Sequence, residues 1–219
     1  MSQPNAKPKA IIFDWDNTLV DSWLIIQDAL NATFLEYDVP QWTLEETKSR
    51  VAKSMRDSFP ELFGDAWEEA GKAFYGHFEA IHLDRLSPLP GAAEALAELA
   101  GMGIYLGVVS NKTGHLLRAE AEKLGWAAHF GRIVGAADAP RDKPAPDPVH
   151  MALDGSGLTP DATVWFVGDA RVDMECAVNT GCTPVLMRPE PPVNGEFEGV
   201  QPELYLNTPQ MLSNFAKNL

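Results

Sequence analysis

The chain has 219 residues, 45% hydrophobic and 22% charged, enough for one large domain or a domain carrying an insertion. Its 31 acidic residues against 17 Lys and Arg give a formal net charge of −14, which argues against nucleic acid and anionic membranes as partners but leaves room for a small phosphorylated metabolite held by local positive charge. Residues 1–9 are polar with no apolar segment of a secretory signal, and no run is long enough to span a bilayer, so a cytoplasmic protein without a membrane partner is expected.

Residues 9–13 contain the apolar run Ala10-Ile11-Ile12-Phe13, which reads as a strand buried on both faces of a parallel sheet. From 21 to 86 no strand pattern follows. Helical patterns appear instead at 23–37, 44–55 and 66–83, and Trp23, Phe34, Trp42, Phe59, Phe63, Trp67, Phe74 and Phe78 concentrate there. A hydrophobic centre of its own accounts for those aromatics, so residues 21–86 are expected to form a helical domain inserted after the first strand. Ser87-Pro88-Leu89-Pro90-Gly91 then reads as the return linker, which leaves 1–20 and 87–219 for the core.

Strand patterns at 104–109, 133–135, 163–167, 183–187 and 204–206 alternate with amphipathic stretches at 92–100, 114–124, 147–154, 171–179 and 209–217. That alternation predicts an α/β fold, a doubly wound, Rossmann-like parallel sheet with right-handed crossovers. The proline-rich residues 189–202 read as a surface loop. Cys176 and Cys182 make no metal pattern with His and read as small buried hydrophobes.

Four polar elements fall at the carboxyl ends of these strands, where open α/β sheets gather their ligands. They are Asp14-Trp15-Asp16-Asn17-Thr18, Ser110-Asn111, Lys143-Pro144, and Gly168-Asp169 with Asp173 four residues on. A carboxylate is a competent nucleophile toward phosphorus. A second acid two residues along points the same way and can serve as general acid and then base. Clustered carboxylates and a backbone carbonyl make an oxygen site suited to Mg²⁺, and the Ser110 hydroxyl, backbone N–H groups and the Lys143 ammonium are donors for phosphoryl oxygens.

As a set, these motifs resemble the haloacid dehalogenase (HAD) superfamily of phosphohydrolases, in the style of its phosphoglycolate phosphatase-like members with a C1-type helical cap. The resemblance implies Asp14 as nucleophile and Asp16 as general acid/base. It implies Mg²⁺ on the Asp14 carboxylate, the Asp16 carbonyl and Asp169, with Asp173 as a ligand through water or as the partner that orients Lys143. Thr18, Ser110 and Asn111 would contact phosphate or shape its cradle, and the inserted helices would be the cap that selects substrate. Arg50, Lys53 and Arg56, positive in an acidic chain, are its candidate substrate readers. Asn17 stands where many relatives carry Gly, and Asn tolerates the left-handed backbone that such a turn needs.

The expected reaction is hydrolysis of a small phosphomonoester through an aspartyl-phosphate, by a monomer or homodimer. A phosphosugar mutase or an inorganic pyrophosphatase would keep the same four motifs. A receiver module phosphorylated on Asp is the alternative from signalling, but the order of motifs and the insertion fit it poorly. No Gly-x-Gly-x-x-Gly or Gly-Lys-Ser/Thr loop supports a nucleotide site.

Overall fold

The run Ala10-Ile11-Ile12-Phe13 forms the first strand, β1 (Ala10–Phe13), and every residue in it is buried. The computed structural model describes residues 4–51 and 55–219. After β1 come β2 (Val20–Asp21), α1 (Trp23–Glu36), α2 (Leu44–Arg50), α3 (Met55–Phe63), α4 (Trp67–Ile81), β3 (Ser87–Pro88) and α5 (Ala92–Gly101). The remaining elements are β4 (Tyr105–Thr113), α6 (Gly114–Lys123), β5 (Arg132–Ala136), α7 (Asp147–Leu153), β6 (Val164–Gly168), α8 (Arg171–Thr180), β7 (Thr183–Met187), β8 (Leu204–Leu206) and α9 (Pro209–Lys217).

Six strands pair in the order β5-β4-β1-β6-β7-β8, parallel throughout, as the alternation of strand and helix predicts. Successive residues point to opposite faces, and both faces are covered. Ala10, Ile12, Val164 and Phe166 pack with Val149 and Ala152 of α7 and Cys176 and Ala177 of α8. On the other face the Trp165 ring lies 5.9 Å from that of Phe215 on α9. Both cysteines are free and buried. Burial pushes the Cys176 thiol up to about 12 and that of Cys182 to about 11, so they act as inert hydrophobes.

The chain divides into two compact units. One comprises residues 1–20 and 88–219, the other residues 21–87. The second unit is helical and has its own centre, with Leu30, Phe34, Trp42, Phe59 and Ala70 buried and Phe63, Trp67 and Phe74 packed around them. Inside it, α2 opens on a capping box: the Thr43 hydroxyl accepts from the Glu46 N–H at 3.2 Å, and the Glu46 carboxylate accepts from the Thr43 N–H at 2.9 Å.

Two expectations about elements need correction. The pattern at 44–55 is not one helix: α2 stops at Arg50, and α3 begins at Met55 and tolerates Pro60 within it. The strand expected at 104–109 runs on to Thr113, and its pairing with β5 shifts register between Val109 and Thr113. That irregularity matters for the site, because Ser110, Asn111 and Lys112 lie within it.

Packing of β5 on α6 depends on close backbone approach. A Cβ on Gly135 would lie 2.4 Å from the Cα of Gly114 and 2.7 Å from the carbonyl oxygen of Lys112, both backbone atoms that cannot swing aside. Gly135→Ala is therefore expected to destabilise the fold by about 2–3 kcal/mol, the upper range for overpacking. Urea denaturation followed by circular dichroism checks this; an unchanged midpoint would show that the backbone yields freely.

Candidate active site

In the sheet order β1 lies between β4 and β6, so the three strand ends carrying motif residues are neighbours. The Asp14 N–H donates to the Val167 carbonyl at 2.8 Å, which ties the first motif to the fourth. Beyond Asp14 the chain turns tightly: the Trp15 carbonyl accepts from Leu19 at 2.9 Å and from Val20 at 3.2 Å. Asn17 adopts φ of 60°, the left-handed conformation anticipated for it. The turn brings the Thr18 hydroxyl to Asp169, to which it donates at 3.4 Å.

The irregular stretch of β4 aims three residues at different targets. The Ser110 hydroxyl accepts from the Lys112 N–H at 3.2 Å, and Ser110 is buried. Asn111 clamps the third motif: its amide donates to the Lys143 carbonyl at 3.2 Å and its oxygen accepts from the Lys143 N–H at 3.1 Å. Asn111 is expected to contact phosphate or to shape its cradle; in the structure both ends of its side chain bond to the Lys143 backbone, so it holds the loop that carries Lys143. Lys112 reaches back to the first motif, with Nζ 2.7 Å from Asp16 Oδ1 and 2.7 Å from Glu120 Oε2.

The loop after β5 is held from several sides, which suits an essential cation. Asn179 donates to the Pro144 carbonyl at 2.9 Å, and the Asp142 carboxylate accepts from the Ala137 N–H at 2.8 Å. Lys143 is thereby brought to Asp14 Oδ1 at 2.6 Å and Asp173 Oδ1 at 2.7 Å, with its ammonium buried. The other Asp173 oxygen accepts from the Ala170 N–H at 3.0 Å, at the start of α8. Both Asp173 oxygens are engaged, so of the two roles the resemblance allows, the orienting partner of Lys143 is the one with contacts. Only Gly fits before Asp169, since a Cβ at 168 would lie 2.3 Å from Asp173 Cγ.

Asp14, Asp169 and Asp173 each offer a carboxylate oxygen, all within 4.8 Å of one another. Such crowding shows in their acidities. Burial, with Asp173 and Asp16 nearby, raises Asp14 to about 6 even though Lys143 pulls the other way. Burial and the charges of Asp173 and Asp14 raise Asp169 well above the usual carboxylate range. Burial alone would lower Lys143, but Asp14 and Asp173 outweigh it and hold the ammonium firmly charged. Three hard oxygen donors whose mutual repulsion a cation would relieve are a fitting set for a divalent metal ion. The Asp16 carboxylate stands apart, bound to Lys112, so the atom the resemblance assigns to the metal is its backbone carbonyl.

Within the helical unit, the Arg50 guanidinium lies 4.9 Å over the Trp42 ring and 3.6 Å from Glu46, while its side chain stays half-exposed. Arg56 sits on α3, and Lys53 lies outside the described residues. Sequence reasoning missed Lys112, Glu120 and Trp15, which join Asp16 in one buried network. A signal was available: Glu120 falls on the apolar face of α6 beside Leu116, Leu117 and Ala121, where a lone carboxylate needs a partner. Arg188 was missed too; it donates to the Asp169 carbonyl at 3.0 Å and to Glu196 at 2.7 Å, tying the 189–202 loop to the strand end.

The chain is similar in sequence and fold to known proteins. The family model described as haloacid dehalogenase-like hydrolase matches residues 11–187. A phosphoglycolate phosphatase of Rhodospirillum rubrum is 34% identical over 192 residues, covering 82% of this chain and 79% of that protein. A pyrophosphatase, PpaX, of Oceanobacillus iheyensis is 30% identical over 166 residues, 76% of this chain and 77% of its own length. Among solved structures, a haloacid dehalogenase-like hydrolase from Streptococcus pneumoniae superposes with a TM-score of 0.84 at 25% identity, covering 95% of this chain and 98% of its own. With the family model matched over most of its length and the motif acids gathered at one sheet end, the chain belongs to the haloacid dehalogenase-like hydrolases.

Proposed function

We propose that the protein is a Mg²⁺-dependent phosphatase that hydrolyses a small phosphomonoester through an aspartyl-phosphate on Asp14. The observation that carries this reading is the Asp14 carboxylate bonded to a buried Lys143 that Asp173 also holds. A carboxylate kept anionic above about pH 6, beside a fixed ammonium, is equipped to attack an anionic phosphorus centre. In the first step an Asp14 oxygen bonds to phosphorus while the ester P–O bond breaks, and Asp16 gives its proton to the leaving oxygen. Asp16 then takes a proton from water as that water's oxygen bonds to phosphorus, which releases phosphate and restores the Asp14 carboxylate. Lys143, Ser110 and Thr18 are the donors we assign to the transferring oxygens.

Asp14, Asp169 and the Asp16 carbonyl would hold the Mg²⁺ ion, with Asp173 beside them. When bound, the ion supplies positive charge that lets an anionic nucleophile and an anionic substrate approach. We read the helical unit as the cap that sets substrate choice, with Arg50, Lys53 and Arg56 as readers of an anionic substrate group. The relatives support phosphoglycolate as the first substrate to try, and the PpaX relative supports pyrophosphate as the second. The net charge of −14 argues against nucleic acid and anionic membranes as partners, and we take the enzyme to be cytoplasmic, as a monomer or homodimer. No helix among the described residues is long and apolar enough to cross a membrane.

Replacing Asp14 by Asn is expected to lower kcat by at least about 10³-fold with the circular dichroism spectrum unchanged, as for loss of a nucleophile. A variant that kept wild-type kcat would rule out the covalent route. Asp14 holds its proton more tightly when folded, so ionising it costs the metal-free protein stability as pH rises from 3.8 through about 6, and the raised Asp169 adds to that cost in the same direction. A bound cation displaces those protons, so the rise in Tm caused by millimolar Mg²⁺ is expected to grow from about pH 5 to about pH 8. A shift equal at both pH values would contradict the metal assignment. Phosphoglycolate is expected to give a higher kcat/KM than pyrophosphate. Neutralising Arg50, Lys53 or Arg56 singly should raise its KM by roughly 5–10-fold, the worth of about one charge-assisted contact. Unchanged KM in all three returns those cations to a solvated helix surface.

A further inference from the structure

Asp16 is held by a chain of contacts that no motif names. The Lys112 ammonium bonds to Asp16 Oδ1 at 2.7 Å and to both Glu120 oxygens, at 2.8 and 2.7 Å. Glu120 is fully buried and accepts from the Trp15 indole N–H at 2.6 Å. The Trp15 ring is also fully buried, edge-on to Trp126 at 5.9 Å and to Phe130 at 6.4 Å. The far end of the chain is thus fixed by aromatic packing, and the near end is a carboxylate that is only partly buried.

Stability alone is a weak reason for such a cluster. Burying two acids and an ammonium costs desolvation that their attraction barely recovers, and an apolar replacement of like volume is often as stable. Geometry is a better reason. A carboxylate that must meet a leaving oxygen loses rate steeply when misplaced by about 1 Å, and groups fixed by a supporting shell keep their aim. We infer that Lys112, fixed in turn by Glu120 and Trp15, is the positioning residue that holds the Asp16 carboxylate where it transfers protons. This rests on the reading of Asp16 as general acid/base.

A positioning role and a merely structural one part company on leaving groups. A poor leaving group such as phenolate needs the proton from Asp16, whereas p-nitrophenolate departs with little help. The experiment measures kcat/KM for a series of substituted phenyl phosphates with the wild type, Asp16→Asn and the double variant Lys112→Met with Glu120→Gln. The double change removes both charges of the pair, so no orphaned buried ion is left, and Gln still accepts from Trp15. Trp15→Phe, which removes only the indole N–H, is run beside it and judged by the same criterion should the double variant fail to fold.

Loss of aim should cost roughly 10²-fold for phenyl phosphate, the lower end of what a general acid supplies, and less than about threefold for the p-nitrophenyl ester. The dependence on leaving-group acidity therefore steepens in Asp16→Asn and in the double variant alike. If Asp16→Asn steepens it and the double variant lowers all esters equally, Lys112 is only structural and the inference falls while the Asp16 reading stands. If neither steepens it, the Asp16 reading itself falls and the inference with it.

Discussion

Everything at the carboxyl end of the sheet depends on the ion pair between Lys143 and Asp14. Asp14, Asp169 and Asp173 converge within 4.8 Å, an arrangement that repulsion and burial both oppose. One buried ammonium, bonded to two of the three, makes it tolerable before any metal ion binds. The remaining imbalance is visible in the raised acidities of Asp14 and Asp169, and it is the reason the site suits a cation. Lys143 pulls against the burial that raises Asp14, and so keeps that carboxylate more acidic than burial alone would leave it.

Holding that ammonium takes much of the surrounding scaffold. Asn111 grips the Lys143 backbone from β4, Asn179 grips Pro144 from α8, and Gly168 clears the space in which Asp173 reaches the lysine. Asn111 and Gly168 lie on paired strands and Asp173 and Asn179 at the two ends of α8, so parallel pairing and helix packing fix them relative to one another. The hydrophobic core below is conventional: β-branched and aromatic residues on both faces of a parallel sheet. Its contribution to function is stiffness, because a site of this kind fails when its parts drift by an ångström.

Strand and helix order was legible because continuous apolar runs and amphipathic stretches differ in period. The last helix was legible at both ends, since the stretch read at 209–217 is α9, whose start the Thr208 hydroxyl caps by accepting from the Met211 N–H at 3.3 Å. The register shift after Val109 was not legible, since nothing in Ser110-Asn111-Lys112 distinguishes a bulged strand from a strand that has ended. No helical pattern was read at 56–63, and α3 there carries Pro60, a residue that ordinarily interrupts a helix. The motif acids and Lys143 were legible by chemistry and spacing. Roles that depend on where a side chain's second hydrogen bond goes, such as those of Asn111 and Lys112, needed coordinates.

Two aspartates separated by one residue end in different surroundings, and this difference matches the separate tasks proposed for them. Asp14 is buried against Lys143, which Asp173 shares; Asp16 is more open and lies against Lys112, which Glu120 shares. The plan repeats, with one ammonium between a motif acid and a helix acid, but its consequences differ. Around Asp14 a third carboxylate, Asp169, joins the pair and completes a set of oxygens that could hold a metal ion. Around Asp16 the third member is the Trp15 indole, which adds no charge and opens no ligand site, only rigidity. An acid held rigidly at the edge of solvent, beside one embedded in a charged cluster, suits the proposed division, in which Asp14 bonds to phosphorus and Asp16 only moves a proton.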